Sequence, residues 1–248
     1  MKAKEIRALA RENLKQIPKK VYMPMGLLLV VANIIPNVVD QATDFKSGAG
    51  ANITFFPLEI AAALLTANGY IFFDRWRNKI QKGGEEPNAW CGLTGQHIAR
   101  LLIYGAIEAL IIGTGTVAIA AAVVGSAIPQ VPVAVSIILL ILLVVLLVWI
   151  ELRLTYVVYV IDDDVRTGQK RSVWAEIGAG WKLTKGRVWK LLCLNLSFLG
   201  WDILTAFTLG ILGIWLMPYY NLAIAETYEQ SKEELLISNL NFPYQKEL

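Results

Sequence analysis

Long apolar runs alternate with short charged segments along this chain. Six runs are each close to the roughly 20 residues that a helix needs to cross a bilayer. They are Val21–Val39, Asn52–Phe73, Leu101–Val124, Val131–Val160, Val188–Phe207 and Ile211–Thr227. The pattern predicts an all-α fold, a polytopic bundle of six transmembrane helices. We interpret residues 1–248 as one integral membrane domain, with a six-span bundle over 21–228 and a cytoplasmic tail over 229–248.

The last two runs are separated only by the short stretch Thr208–Gly210. The apolar sequence from Leu191 to Thr227 is too long for one crossing and suits two. Glycine tolerates the left-handed conformation that reverses a chain. We therefore predict a tight helical hairpin that turns at this stretch, on the outer side of the membrane.

Two further segments have helical periodicity but are too polar to cross a membrane. In residues 1–20, apolar residues recur at helical spacing opposite basic ones; they are Ile6, Leu9 or Ala10, Leu14 and Ile17. In residues 172–186, one face carries Trp174, Ile177 and Trp181, with Ser172 as a cap and Gly186 as a stop. Both segments are predicted to be amphipathic interfacial helices on the cytoplasmic side.

The composition strengthens the membrane interpretation. Hydrophobic residues make up 56% of the 248 residues and charged residues 17%, and the mean hydropathy is +0.51. A soluble domain is about one quarter charged. We therefore expect a multi-pass protein of a plasma membrane.

Basic residues are distributed very unevenly between the predicted loops. Twenty-one lie in the N-terminal segment, the second loop, the fourth loop and the tail, against only Lys46 on the other side. The positive-inside rule predicts that both termini are cytoplasmic. The expected partners are the bilayer and its anionic inner-leaflet lipids, with a protein partner or a second copy of the chain as further possibilities. The clusters of basic residues are consistent with both nonspecific attraction and specific recognition of these lipids. Because membrane topology already accounts for where the basic residues lie, we expect no nucleic-acid partner.

Ionisable residues inside a predicted span are costly and therefore mark candidate functional positions. They are Glu59, Glu108, Glu151, Arg153 and Asp202, with Glu226 at the end of the last predicted span. Glu108 and Arg153 fall at similar depth on adjacent antiparallel helices, which predicts an ion pair, either a structural lock or part of a polar relay. Glu59 and Asp202 lie toward the outer leaflet. They are interpreted as protonated, solvated by a cavity, or hydrogen-bonded to neighbours such as Asn195 or Thr205, and a shared cation or proton site is a further hypothesis.

No motif for nucleophilic, metal-dependent or phosphate-binding catalysis occurs in the sequence. One histidine and two cysteines do not form a metal-ligand pattern. We therefore predict a non-enzymatic protein that needs no cofactor and no metal.

The last third of the chain carries two distinctive segments, "WKLTKGRVWKLLCLNLSFLGW" and "TLGILGIWLMPYYNLAIAETYEQ". Their motif residues are Gly186, Trp189, Ser197, Phe198, Gly200, Trp201, Gly210, Pro218, Tyr219 and Tyr228. These segments resemble the motifs of a bacterial family of integral membrane proteins known only as a domain of unknown function, DUF975. The segment "WIELRLTYVVYVIDDD" departs from the family pattern at the inner end of the fourth span. The resemblance implies six spans in a bacterial membrane and implies no activity.

Two functions remain open at this point. The chain is either a protein that binds lipids or protein partners in the cell envelope, or a small transporter that uses its buried acids. A transporter needs a cavity that reaches these acids, whereas a scaffold packs them closed.

Overall fold

The computed structural model describes residues 2–47, 56–126 and 133–241, and the side chains of residues 2–35, 58–123 and 134–236. Within these ranges every regular element is an α-helix, as predicted. The helices are α1 (Ala3–Gln16), α2 (Lys19–Ser47), α3 (Phe56–Lys82), α4 (Gly95–Ser126), α5 (Val133–Leu154), α6 (Val157–Arg166), α7 (Val173–Thr184), α8 (Val188–Phe207) and α9 (Gly213–Asn241).

Helix α9 lies at the centre of the bundle and contacts α1, α2, α3, α7 and α8. Its residues Leu222 to Ala225 are fully buried. Because neighbours surround it on all sides, its sequence carries almost no amphipathic periodicity. The helix continues to Asn241, so the segment predicted as a tail over 229–248 is helical as far as that residue.

Helices α4 and α5 form an apolar hairpin on one side of the bundle. Their large side chains are widely exposed, with Leu110 at 68% and Val117 at 69%. Among the described residues, three segments are long and apolar enough to cross a membrane: Gly95–Val123, Ala134–Arg166 and Val188–Phe207. The bent pair Ala3–Gln16 and Lys19–Ile35 raises that number to four if it counts as one span. These helices fit the predicted membrane association.

The predicted fourth span, Val131–Val160, is interrupted near its inner end. Helix α5 ends at Leu154, and a turn at Thr155–Tyr156 precedes α6. Residues Val157 to Asp162 of α6 are buried within the protein. The inner end of this span therefore packs inside the bundle as a separate helix.

Helix α1 forms as the periodicity predicts, and Ile6, Ala10 and Leu14 are buried on its apolar face. The helix packs against α9, where Tyr219 Oη donates to the Arg7 carbonyl (3.1 Å). The protein therefore covers this apolar face, and the position of α1 on the cytoplasmic side of a membrane stays a prediction.

Helix α7 begins and ends where the sequence predicts. Ser172 Oγ accepts a hydrogen bond from the Ala175 amide (3.4 Å), and Gly186 follows the helix with φ of 78°. Glu176 is buried, whereas Trp174 is 69% exposed. The predicted tryptophan face is thus divided: Trp174 is exposed, whereas Ile177 packs against the core and Trp181 contacts Trp149.

Helices α8 and α9 form the predicted hairpin. Trp201 contacts Trp215, and Asn195 contacts Tyr220. The paired numbers change in opposite directions along the two helices, so the helices are antiparallel. Leu209 and Gly210 have positive φ (50° and 86°), which locates the reversal within the predicted turn.

Candidate functional site

Asp162, the first of three consecutive aspartates on α6, connects this helix to α3 and α4. Its Oδ1 accepts from Arg75 Nη2 (2.5 Å) and lies 3.0 Å from His97 Nε2. The other ring nitrogen of His97 contacts the Thr94 hydroxyl (2.5 Å). Asp162 and His97 are both almost fully buried, so these contacts hold three helices together away from solvent.

Asp163 and Asp164 point to different neighbours, because successive residues of a helix are rotated by about 100°. Asp163 Oδ2 accepts from Lys232 Nζ (2.6 Å) and Tyr228 Oη (2.7 Å) of α9. Asp164 pairs with Arg171 in the link to α7. Burial alone would lower the pKa of Lys232, but the Asp163 carboxylate outweighs this effect and raises it.

Arg77 on α3 is a second centre of buried charge, with 1% of its side chain exposed. Its guanidinium lies 3.4 Å from Glu229, 3.5 Å from Asp74 and 3.8 Å from Glu226. Asn13 Nδ2 of α1 donates to Glu226 Oε1 (2.6 Å). These groups join α1, α3 and α9.

We call these two clusters together the inner charge network. It consists of Asp74, Arg75, Arg77, His97, Asp162, Asp163, Asp164, Glu226, Glu229 and Lys232. Its charges are paired across four helices, α3, α4, α6 and α9, because buried charges need partners. Arg77 Nε and Asp74 Oδ1 are nevertheless buried without a hydrogen bond among the described residues. Of this set only Glu226 lies within a predicted span, so the hydropathy pattern pointed to none of the others. The sequence signal that could have revealed the inner charge network was the run of three aspartates directly after an apolar segment.

A related contact fixes α7 to α4. The buried Glu176 pairs with Arg100 at the start of α4. Burial raises the pKa of Glu176, and the Arg100 charge opposes this shift. Helix α7 is thereby fixed by its buried face.

Glu108 and Arg153 are not paired, so that prediction is wrong. Glu108 Oε1 accepts from Tyr104 Oη (3.1 Å). Arg153 Nη1 donates to the Trp181 carbonyl (3.3 Å), and its guanidinium lies over the rings of Trp149 and Trp181. Their helices are neighbours as predicted, but Arg153 faces α7 instead of α4. The depth of two residues along neighbouring helices does not determine how each helix is rotated about its axis, and so does not determine whether the two side chains face each other.

The remaining polar residues of the predicted spans differ in position. Glu151 lies half-buried near the inner end of α5, and Glu59 lies exposed in the first turn of α3. Asp202 lines a cavity between helices. The hydrogen bonds considered for Asp202 are used elsewhere: Asn195 accepts from Tyr220, and Thr205 donates to the Trp201 carbonyl.

The cavity beside Asp202 has a volume of about 480 Å³. Residues of α2, α3, α5, α8 and α9 line it, and most of its wall is apolar. Its polar groups are Asn33, Thr66, Tyr70, Asn195, Asp202, Thr205, Tyr220 and Asn221. Among the described residues that form this lining, Asp202 is the only charged one. The cavity thus combines an apolar wall with several hydrogen-bonding groups and one acid.

The cavity opens toward the side of the bundle. Leu196 and Leu199 of α8 belong to its lining and are 56% and 52% exposed. Half-exposed leucines at a cavity wall indicate an opening that faces the same medium as the apolar periphery. In a bilayer that medium is hydrocarbon.

Several family-like residues form the framework of α7, α8 and α9. Gly186 follows α7, and Gly210 provides the turn of the hairpin. Phe198 is buried against Tyr219. Tyr228 packs on Tyr159 with ring centroids 5.0 Å apart and donates to Asp163, as part of the contacts that hold the inner charge network.

The other family-like residues have more local surroundings. Ser197 Oγ donates to the Leu194 carbonyl (2.6 Å). Trp201 contacts Trp215, and Trp189 is 74% exposed. Pro218 lies beside Gly26 of α2, whereas Gly200 faces open space. The motif therefore combines packing residues with exposed aromatic and small ones.

Comparison with known proteins agrees with the resemblance noted in the sequence. No curated protein and no solved structure matches the chain. Residues 96–234 match the family described as "Protein of unknown function (DUF975)". This match covers α4 to α8 and most of α9, which include the aspartate triplet and the hairpin. The chain therefore belongs to the DUF975 family.

Proposed function

We propose that the chain is a non-enzymatic integral membrane protein that binds an amphiphilic molecule in the cavity beside Asp202. The cavity itself carries this proposal. Its apolar wall suits a hydrocarbon chain, and the opening at Leu196 and Leu199 gives access from the bilayer. Asp202, as the single acid of the lining, favours a cationic head group, and the amide and hydroxyl groups around it supply hydrogen bonds.

Binding of a fluorescent long-chain alkylammonium to the protein in lipid nanodiscs tests this function. We expect saturable binding that a neutral alcohol of the same chain length matches only weakly. Asp202→Asn should remove the preference for the cation. Glu59→Gln is the matched control, because it neutralises another exposed acid that is outside the cavity lining. Equal loss in both variants, or unchanged preference in Asp202→Asn, contradicts the proposal.

A small transporter is the second candidate, and the same observation favours it. A carrier needs a cavity that reaches a residue able to select its substrate, and this cavity reaches Asp202. Proteoliposomes loaded with the same alkylammonium distinguish the two functions. Movement of the probe across the membrane against its gradient, driven by a proton gradient, identifies a transporter. Binding without such movement identifies a binding protein.

We further propose a bacterial plasma-membrane topology in which both termini are cytoplasmic. The uneven distribution of basic residues supports this orientation. A reporter that works only in the cytoplasm should be active when fused after Leu248. Activity there of a reporter that works only outside the cytoplasm would overturn the orientation.

The same orientation requires an even number of crossings. The sequence predicts six. The contacts of α1 instead favour four crossings by α2 to α5, with α8, which is itself long and apolar enough to cross, forming a re-entrant hairpin with α9. Basic helix α1 contacts α9 at Tyr219. Helix α9 begins at Gly213, which is about 9 Å from Tyr219 along the helix, and the hairpin turn with Leu209 directly precedes it. The hydrocarbon core is about 30 Å thick, so a turn at that distance lies inside it.

The hairpin turn is suited to such a position. Phe207, Leu209 and Ile211 are 81%, 87% and 71% exposed, although all are apolar. Every backbone N–H from Thr208 to Leu216 donates a hydrogen bond within the hairpin. In hydrocarbon every backbone N–H must be hydrogen-bonded within the protein, because the surrounding lipid offers no alternative partner.

A cysteine at Leu209, in a chain whose Cys91 and Cys193 are replaced by serine, tests the depth of the turn. We expect it to resist an impermeant thiol reagent from either side of the membrane and to react after solubilisation. Labelling in intact cells from outside would instead support six full crossings.

A further inference from the structure

The junction between α1 and α2 forms a small basic pocket that is separate from the Asp202 cavity. The two helix axes meet at 117° around Pro18. A pocket of about 190 Å³ lies inside this bend. Arg11 and Lys15 come from α1, Lys19 and Tyr22 from α2, and Trp215 from α9. We call it the elbow pocket.

Among the described residues, the cations of the elbow pocket have no counter-charge. Arg11, Lys15 and Lys19 are exposed, and within the described part of the chain none of them forms an ion pair or a side-chain hydrogen bond. The pocket lining contains no acid. By contrast, Arg75 and Arg77 of the inner charge network each have carboxylate partners. The elbow pocket is therefore a local concentration of unbalanced positive charge.

The remainder of the lining suits the boundary between head groups and hydrocarbon. Tyr22 and Trp215 belong to the residue types that accumulate at this level of a bilayer. Leu14 and Ile17 add apolar surface. Directly along α2, Met23 and Leu27 are 47% and 49% exposed. An apolar surface for acyl chains thus continues from the basic pocket.

We infer that the elbow pocket binds the phosphate-bearing head group of an anionic membrane lipid, with its acyl chains along α2. Three cations on three different turns can approach one phosphate from several directions, and charge-assisted hydrogen bonds to phosphate are strong. A free phosphate uses the same cations but gains nothing from the apolar surface beyond them. This inference rests on the proposed cytoplasmic side of α1 and does not depend on the ligand of the Asp202 cavity.

Native mass spectrometry of the full chain, released from mixed phosphatidylglycerol and phosphatidylcholine, tests the inference. The wild-type protein should retain one phosphatidylglycerol in preference to phosphatidylcholine. The triple variant Arg11→Gln, Lys15→Gln, Lys19→Gln should bind it roughly 100-fold more weakly, since each basic residue near a membrane surface contributes about one kcal/mol. Bound alkylammonium at the Asp202 cavity should be unchanged.

Two controls keep this test decisive. The variant Lys4→Gln, Lys20→Gln, Lys185→Gln removes the same charge from exposed positions outside the pocket and should retain the lipid. The exchange Arg11→Lys, Lys15→Arg, Lys19→Arg preserves the charge and should also retain it, which excludes misfolding as the cause of loss. Equal loss in the Lys4, Lys20 and Lys185 variant would mean nonspecific attraction and would overturn the inference.

Inorganic phosphate provides the last arm of the test. We expect millimolar phosphate to leave the retained phosphatidylglycerol in place. Displacement of the lipid by phosphate alone would assign the pocket to a soluble phosphate ligand and overturn the lipid assignment.

Discussion

Charge is arranged in opposite ways in the inner part of the bundle and in its membrane-facing part. In the inner part, Arg77 and Asp162 are almost fully buried, and each has charged partners on other helices. In the membrane-facing part, Glu59 and Asp202 are exposed and take part in none of the ion pairs among the described residues. Burial with partners fixes a fold, whereas a charge without a partner is free to meet a ligand. The inner acids therefore serve architecture, and Asp202 is the acid on which the proposed function rests.

The largest expected effect follows from Arg77→Met. The substitution leaves Asp74, Glu226 and Glu229 close together without the cation they share. Removal of one partner from a buried ionic cluster costs about 3–5 kcal/mol. The melting temperature in detergent should fall strongly. Arg166→Met is the control, because Arg166 is 44% exposed and its aspartate contacts are 3.9 Å long. Similar losses in the two variants would contradict the assigned role of Arg77.

A double-mutant cycle on Asp162 and Arg75 sharpens the comparison next. Asp162→Asn leaves Arg75 without its carboxylate and weakens the contact with His97. We expect each single variant to lose about 2–3 kcal/mol and the double variant to lose less than their sum. Glu233→Gln, on the exposed side of α9, should have little effect. Strict additivity of Asp162 and Arg75 would show that they do not interact.

Glu108 and Arg153 should behave in the opposite way. Each has its own partner, Tyr104 for Glu108 and the Trp149–Trp181 pair for Arg153. Glu108→Gln and Arg153→Met should therefore lower stability modestly, by about one kcal/mol each, and additively. The measurement is thermal unfolding of the single and double variants. Partial recovery in the double variant would restore the pairing predicted from the sequence.

The smallest expected effect concerns pH and the Arg187–Glu234 pair at the inner surface. The hydrogen bond from Arg187 lowers the pKa of Glu234. A carboxyl whose pKa is lower in the folded state stabilises the fold above its unfolded pKa, and this contribution is lost as pH falls through the folded value. Glu234 is half-exposed, so its contribution is below about one kcal/mol. Glu234→Gln should slightly reduce the loss of stability on acidification, whereas Glu233→Gln should not.

Local signals in the sequence predicted the local features well. Ser172 precedes α7 and Gly186 follows it, and the stretch Thr208–Gly210 reverses the chain. Each of these features depends on residues within a few positions of one another. The periodicity of the sequence also predicted helix α1. It could not predict the surface that covers this helix, because α9 contributes that surface and is distant in sequence.

The inner charge network could not be predicted for the same reason. Arg75 and Asp162 are separated by 87 residues, and Asn13 and Glu226 by 213. A hydropathy pattern locates the ends of helices but not their rotation or their neighbours. The run Asp162–Asp164 reads as a solvated loop until the partners around it are known. The error over Glu108 and Arg153 has the same origin.

The central position of α9 has a consequence for how the protein is made. This helix is synthesised after the other described helices, yet it supplies Glu226, Glu229 and Lys232 to the inner charge network and Tyr219 to α1. Before α9 is translated, α3 and α6 hold charges whose partners do not yet exist, and α1 has no surface to pack against. The earlier helices must therefore remain loosely packed, with their charged ends hydrated, until α9 has been made. Nascent chains stalled before α9 should be recognised as incomplete by quality-control proteases, even when their membrane helices have already been inserted.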